Sequence, residues 1–162
     1  MPGGMETTGT EELDRMLGEL GQMAGPIAAR ALYDGAAVVA NAYASAVKSI
    51  RTGPRNWPGA MRNQARYALP EEKAALTGKT GISKFNSDGG PEINTIVGVA
   101  EGYVELHGKP VAVKLLARSI NSGTSFMHKQ PVFRKAQRAS KSAAQAVMVK
   151  TADALIEQIA KK

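Results

Sequence analysis

Ile93-Asn94-Thr95-Ile96-Val97-Gly98-Val99, Tyr103-Val104 and Val111-Ala112-Val113-Lys114-Leu115-Leu116 are three short runs rich in β-branched residues and set off by Gly or Pro. Together they decide the fold class. Such runs favour pleated, half-buried backbone and read as strands, with Ile82 to Phe85 as a weaker fourth. Between them lie Asn86-Ser87-Asp88-Gly89-Gly90-Pro91 and Leu106-His107-Gly108-Lys109-Pro110, which carry turn chemistry. The connections are too short for crossover helices, so the middle of the chain is expected to be a small antiparallel sheet.

Outward from this sheet the period changes to that of helices. Residues 132–162 contain no Gly or Pro, and Pro131 stands where a helix can begin. Ala144, Met148, Ala152, Leu155, Ile156 and Ile159 form one apolar face. Ala136, Ala139 and Ala143 keep the first half of that helix slim enough for close packing. On the N-terminal side, residues 1–9 hold three Gly and one Pro and are expected to be a flexible tail. Thr8 or Thr10 can cap a helix whose first turns are acidic, with Leu13, Met16, Leu17 and Leu20 at helical spacing. Gly21, Gly25 and Pro26 predict a kink or break. A long helix is then expected from about 26 to 51, either separate or continuous with the first. Pro70-Glu71-Glu72-Lys73 reads as the first turn of a short helix. The expected architecture is α+β: a long N-terminal and a long C-terminal helix on a small antiparallel sheet, forming one domain over 10–162.

Composition narrows the function classes. The 162 residues include 26 Ala against 32 Leu, Ile, Val and Phe together, which points to a thin core helped by close helix packing or by neighbouring subunits. With no Cys, thiol catalysis, disulfide scaffolds and cysteine-ligated metals are excluded. No apolar run reaches membrane-spanning length and the N-terminus does not resemble a signal peptide, so a soluble protein used in a cytoplasm is expected, with no membrane partner. The net charge of +7 is unevenly placed: residues 1–20 carry five acids and one base, and residues 129–162 carry eight bases and two acids. Such a chain can pair its own ends or the ends of neighbouring copies; two solvated helix faces account for the same pattern.

Residues 52–70 form an irregular basic loop. Arg55, Arg62 and Arg66 have no neighbouring acid within it, and Trp57 and Tyr67 lie among them. Bases interleaved with aromatics can hold nucleic acid by phosphate pairing and stacking. A surface loop pinned to the body by its Trp is the favoured reading, and contact with a protein neighbour is a third.

No catalytic motif emerges. Thr77-Gly78-Lys79-Thr80 ends like a phosphate-binding loop, but the position that needs a Gly holds Lys73 and no buried strand precedes it. His107 and His128 are 21 residues apart, in predicted loops, without metal-ligand spacing. Serine-elbow and calcium-loop patterns are absent. Neither an enzyme nor a cofactor is expected.

The stretch Ala117 to Ala136 resembles the signature of the neck, or tail-completion, proteins of long-tailed bacteriophages. In that family a strand leads into a Gly-Thr turn, a short linker, then Pro-Phe and an Ala-rich C-terminal helix. Gly123-Thr124 matches the turn, and Pro131, Phe133 and Ala136 match the helix entry. Asn121 stands where the family has an acid, and Val132 is additional between Pro131 and Phe133. The resemblance implies a virion structural protein of the head-to-tail connector, made in the host cytoplasm. Several copies would form a ring around the DNA channel, touching head-closure or connector proteins and tail proteins. A tail terminator or minor tail protein of the same fold is the nearest alternative, and a basic nucleic-acid-binding module is another. On this resemblance Gly123 takes a positive φ and Phe133 locks the helix against the sheet. Arg134, Lys135, Arg138 and Lys141 then lie open to a partner or to DNA, beside the loop candidates Arg55, Trp57, Arg62 and Arg66.

Overall fold

A computed structural model describes residues 8–55, 65–86 and 94–161. The elements, in order, are α1 (Thr8–Lys48), α2 (Pro70–Leu76), β1 (Thr80–Asn86), β2 (Asn94–Val99), β3 (Tyr103–Leu106), β4 (Lys109–Ala112), α3 (Val113–Ser122) and α4 (Val132–Ala160). The long N-terminal and C-terminal helices pack on each other and on small antiparallel strand pairs, as the sequence implies. Of the tail expected over 1–9, Thr8 and Gly9 are already helical, and residues 1–7 lie outside the described residues.

α1 runs unbroken through Gly21, Gly25 and Pro26, where a kink or break was a sequence expectation. Residues 21–26 are exposed, so water can meet the carbonyl that Pro26 leaves without a helical donor. From Ile27 onward α1 lies antiparallel to α4. Asp34 Oδ2 accepts a 2.9 Å hydrogen bond from Thr151 Oγ1 near one end, and Tyr43 meets Phe133 edge-to-face at 5.6 Å near the other. Close approach depends on Gly35: a Cβ there would overlap Met148 Cγ and lie 2.8 Å from its Sδ and 3.3 Å from the Ala144 carbonyl. Gly35→Leu gains about 1 kcal/mol in helix propensity but overpacks this contact by up to about 3 kcal/mol. The expected net loss of about 1–2 kcal/mol corresponds to a fall of roughly 3–6 °C in the thermal unfolding midpoint.

The strands form two separate two-stranded sheets, β1–β2 and β3–β4, each antiparallel. The turn expected at 86–91 falls mostly on residues outside those described. The β3–β4 turn is His107-Gly108, with φ of 55° and 74°, so both central residues adopt the mirror-image turn that suits a two-residue hairpin. One strand expectation is corrected. Val113 to Leu116 are not strand; α3 begins at Val113, because Val113, Leu116, Ala117 and Ile120 recur at helical spacing and all four are buried.

The core gathers Val47 from the end of α1 and Ile50 just beyond it, Leu76 from α2, four residues of α3, Met127, and Phe133 from α4. Among the described residues the largest side chains wholly out of solvent are Leu76, Ile120 and Val113, so the core is thin for this length. Phe133 is buried in it, with its ring edge-to-face against Tyr43 of α1. Among the described residues no helix is long and apolar enough to cross a membrane.

Candidate functional site

The segment between α3 and α4 is built by three residues with distinct tasks. Gly123 ends α3 at φ 76°, and its N–H still reaches the Ser119 carbonyl at 2.8 Å. Thr124 closes the following turn: its N–H donates to the Met127 carbonyl at 2.9 Å, and its Oγ1 accepts from the Met127 N–H at 3.0 Å. Gln130, buried, then ties distant chain together. Its Nε2 donates to the Arg51 carbonyl at 3.0 Å while its Oε1 accepts the Arg51 N–H at 2.8 Å. Its own N–H donates to Ile120. This side chain serves Arg51 as a neighbouring strand would, and so fixes the end of α1 beside the start of α4. Pro131 sits at the N-cap of α4, and its carbonyl accepts the Lys135 N–H at 3.0 Å. Asn121 faces the first turn of α4, with Oδ1 3.4 Å from the Arg134 N–H.

This scaffold leaves two clefts flanking the first half of α4. One, of about 760 Å³, lies between the ends of α1 and α4; Ala42, Ala46, Val132, Ala136 and Ala139 contribute its apolar surface, and Arg51, Lys129 and Lys135 its charge. Arg51 lies over the Tyr67 ring at 5.9 Å, and Tyr67 meets His128 edge-to-face at 5.3 Å. The second cleft, of about 840 Å³, takes Arg134, Arg138 and Lys141 from α4, with Val39 and Tyr43 of α1 and Thr95 and Val97 of β2. Among the described residues neither lining includes an acidic one. Arg134, Lys135, Arg138 and Lys141 are all exposed, as expected, but they divide between the two clefts. Ala136 is half-buried on the floor of the first.

The loop candidates fare differently. Arg55 is exposed, and Trp57 and Arg62 lie outside the described residues. Arg66 was expected to have no opposing acid; this is corrected. Its guanidinium pairs bidentately with Glu72, at 3.0 Å and 2.8 Å, and also donates to the Tyr67 carbonyl at 2.9 Å. Glu72 Oε2 accepts the Leu69 N–H at 2.7 Å and so caps α2. Hydrogen bonding to Glu72 raises the pKa of Arg66 against the opposing effect of burial. Burial pushes the Glu72 carboxyl up, but the hydrogen bonds from Arg66 and Leu69 and the nearby positive charge outweigh it and hold it below its usual range. The pair is a structural clasp, and Arg66 offers little charge to a partner.

Arg51, Lys129 and Gln130 escaped the sequence analysis. Arg51 and Gln130 are 79 residues apart, and no spacing rule links them. Lys73, read in the sequence as part of the first turn of α2 and as a departure from a phosphate loop, caps α1: its Nζ donates to the carbonyls of Lys48 at 2.7 Å and Ile50 at 3.0 Å. Among the described residues there is no group of three His, Asp or Glu placed to hold a metal. What the clefts offer chemically is positive charge over small apolar side chains, suited to an anionic or acidic-amphipathic partner. No family model, curated protein or solved structure matches this chain.

Proposed function

We propose that this chain is a structural subunit of a phage head-to-tail connector, acting as a neck or tail-completion protein that joins neighbours into a ring around the DNA channel. The supporting observation is the Gly123–Ala136 segment. Gly123 adopts a positive φ, Thr124 closes the turn, and Phe133 enters the core as α4 begins. Gly123 and Phe133 stand at the turn and helix-entry positions of the resemblance, although a helix, α3, leads into the turn where the resemblance implies a strand. A thin core and two basic clefts suit a subunit that gains stability from partners. The role is assembly rather than turnover, in the virion, with no cofactor.

Disrupting the gene in its phage and imaging the lysate by negative-stain electron microscopy tests the reading. Filled heads and finished tails lying unjoined are expected. Tails of abnormal length would move the protein to the terminator position, and intact infectious particles would refute a connector role. A second reading, a non-specific nucleic-acid-binding module, is favoured by one observation: Arg134, Arg138 and Lys141 line a single cleft that has no acid among the described residues. Binding to duplex DNA that weakens steeply with salt and is lost in the triple Glu variant of those positions would support it.

A further inference from the structure

α1 outruns its partner. Ile27 is the first buried residue along it among those whose side chains are described; Arg15, Leu17, Gly18 and residues 21–26 before it are exposed, Leu17 by 56%. The helix from Thr8 to Pro26 is therefore an arm of about 28 Å at 1.5 Å rise per residue. A solitary helix of that length, carrying Gly9, Gly18, Gly21 and Gly25, is marginal in water and gains most from a surface to lie on. Its sequence sets Leu13, Met16, Leu17 and Leu20 at helical spacing among Glu11, Glu12, Asp14 and Glu19.

The cleft between the ends of α1 and α4 has the opposite character. Its floor is small and apolar, and its charges among the described residues are Arg51, Lys129 and Lys135, with no acid. Val132 to Ala139 extend along α4 for about 11 Å, as do Leu13 to Leu20 along the arm, at the same helical rise. The arm cannot reach the cleft of its own chain. Arm and cleft sit at opposite ends of a 41-residue helix, which is about 60 Å long at that rise.

We propose that the α1 arm of one copy docks in the α1–α4 cleft of the next, its leucine row on the alanine floor and its acids against Arg51, Lys129 and Lys135. The contact joins two different surfaces, so it propagates head-to-tail and closes into a ring when the rotation per subunit permits. This rests on the connector reading and deepens it by naming the surfaces through which copies meet. An apolar floor favours a helix face over a phosphate backbone, which needs no such floor.

The chain has no Cys, so single cysteines report proximity cleanly. Full-length Leu17→Cys and Ala139→Cys proteins are mixed at low salt, oxidised and resolved without reductant. Leu17→Cys mixed with Glu105→Cys, an exposed position on β3, serves as control. The mixed Leu17–Ala139 dimer is expected to exceed the control by about tenfold, and to vanish when the cleft carries Arg51→Glu, Lys129→Glu and Lys135→Glu. It should return when the arm carries Glu11→Lys, Glu12→Lys, Asp14→Lys and Glu19→Lys. A yield equal to the control, or a dominant Leu17–Leu17 product, overturns the proposal. So does a cross-link that survives the cleft reversal while duplex DNA binding is lost, which would give the cleft to nucleic acid. If joining of heads to tails requires the gene but no mixed dimer forms, this contact is wrong and the connector reading stands. A mixed dimer together with intact particles after gene disruption would leave the contact standing and remove the connector reading.

Discussion

Gly123→Ala is expected to lower stability by about 3 kcal/mol, on the scale of backbone strain joined to a close contact. At φ 76° and ψ 164° the residue lies outside the left-handed helical basin, in a region that is nearly confined to glycine. An added Cβ would also stand 3.1 Å from both the backbone N and Cα of Lys129, and backbone there cannot swing aside as a side-chain tip can. Relaxing φ would pull apart the bond from Gly123 to Ser119 and the turn that Thr124 closes. Denaturant titration of the wild type, Gly123→Ala and Gly123→Asn measures the effect. Asn tolerates the left-handed helical basin but not this one, so it should do no better than Ala. A near-native Asn variant would show that the strain argument is misplaced.

Glu72→Ala should cost a similar amount, about 3 kcal/mol, because it strips the partner from a largely buried guanidinium and from the Leu69 N–H at once. Removing both charges in Glu72→Ala/Arg66→Met should recover much of the loss, since a buried ion pair exchanged for apolar groups is often neutral. The same carboxyl sets a pH dependence. Its pKa in the folded chain is lowered from the usual 4.5, so the folded state binds its proton less tightly than the unfolded chain does. The stabilisation is therefore complete above the unfolded value and is lost as pH falls through the lower, folded value. Unfolding midpoints between pH 6 and pH 3 should decline for the wild type and decline less for Glu72→Gln.

Much of the fold is legible in local patterns. The Gly- and Pro-free run after Pro131 becomes α4, Pro70 with its two acids becomes α2, and His107-Gly108 becomes the hairpin turn. The run Val111 to Leu116 misleads because its β-branched content resembles strand over six residues. Only when Ala117 and Ile120 are included does the helical spacing of its buried face emerge. Pro26 misleads in the other direction, since its cost falls where the helix backbone is open to water. The candidate site is less legible. The turn at Gly123-Thr124 can be read from residue chemistry, and the exposed bases of α4 from their density. The clefts themselves depend on Gln130 clamping Arg51, and the loss of Arg66 to Glu72 depends on how the chain enters α2. Tertiary pairings of this kind leave no mark on spacing.

The antiparallel seating of α1 on α4 also sets an order of events during synthesis. Asp34 waits for Thr151, 117 residues later, and Arg51 for Gln130, 79 residues later. Until α4 is made, the face of α1 that will meet it has only water or other chains to touch, and closing such long loops slows the final step. A chain interrupted before Val132 lacks Phe133 and the partner of Gly35, and would emerge with one of its longest helices unseated. Folding and completeness are thereby coupled: a prematurely ended product exposes apolar surface to chaperones and proteases instead of competing with intact copies.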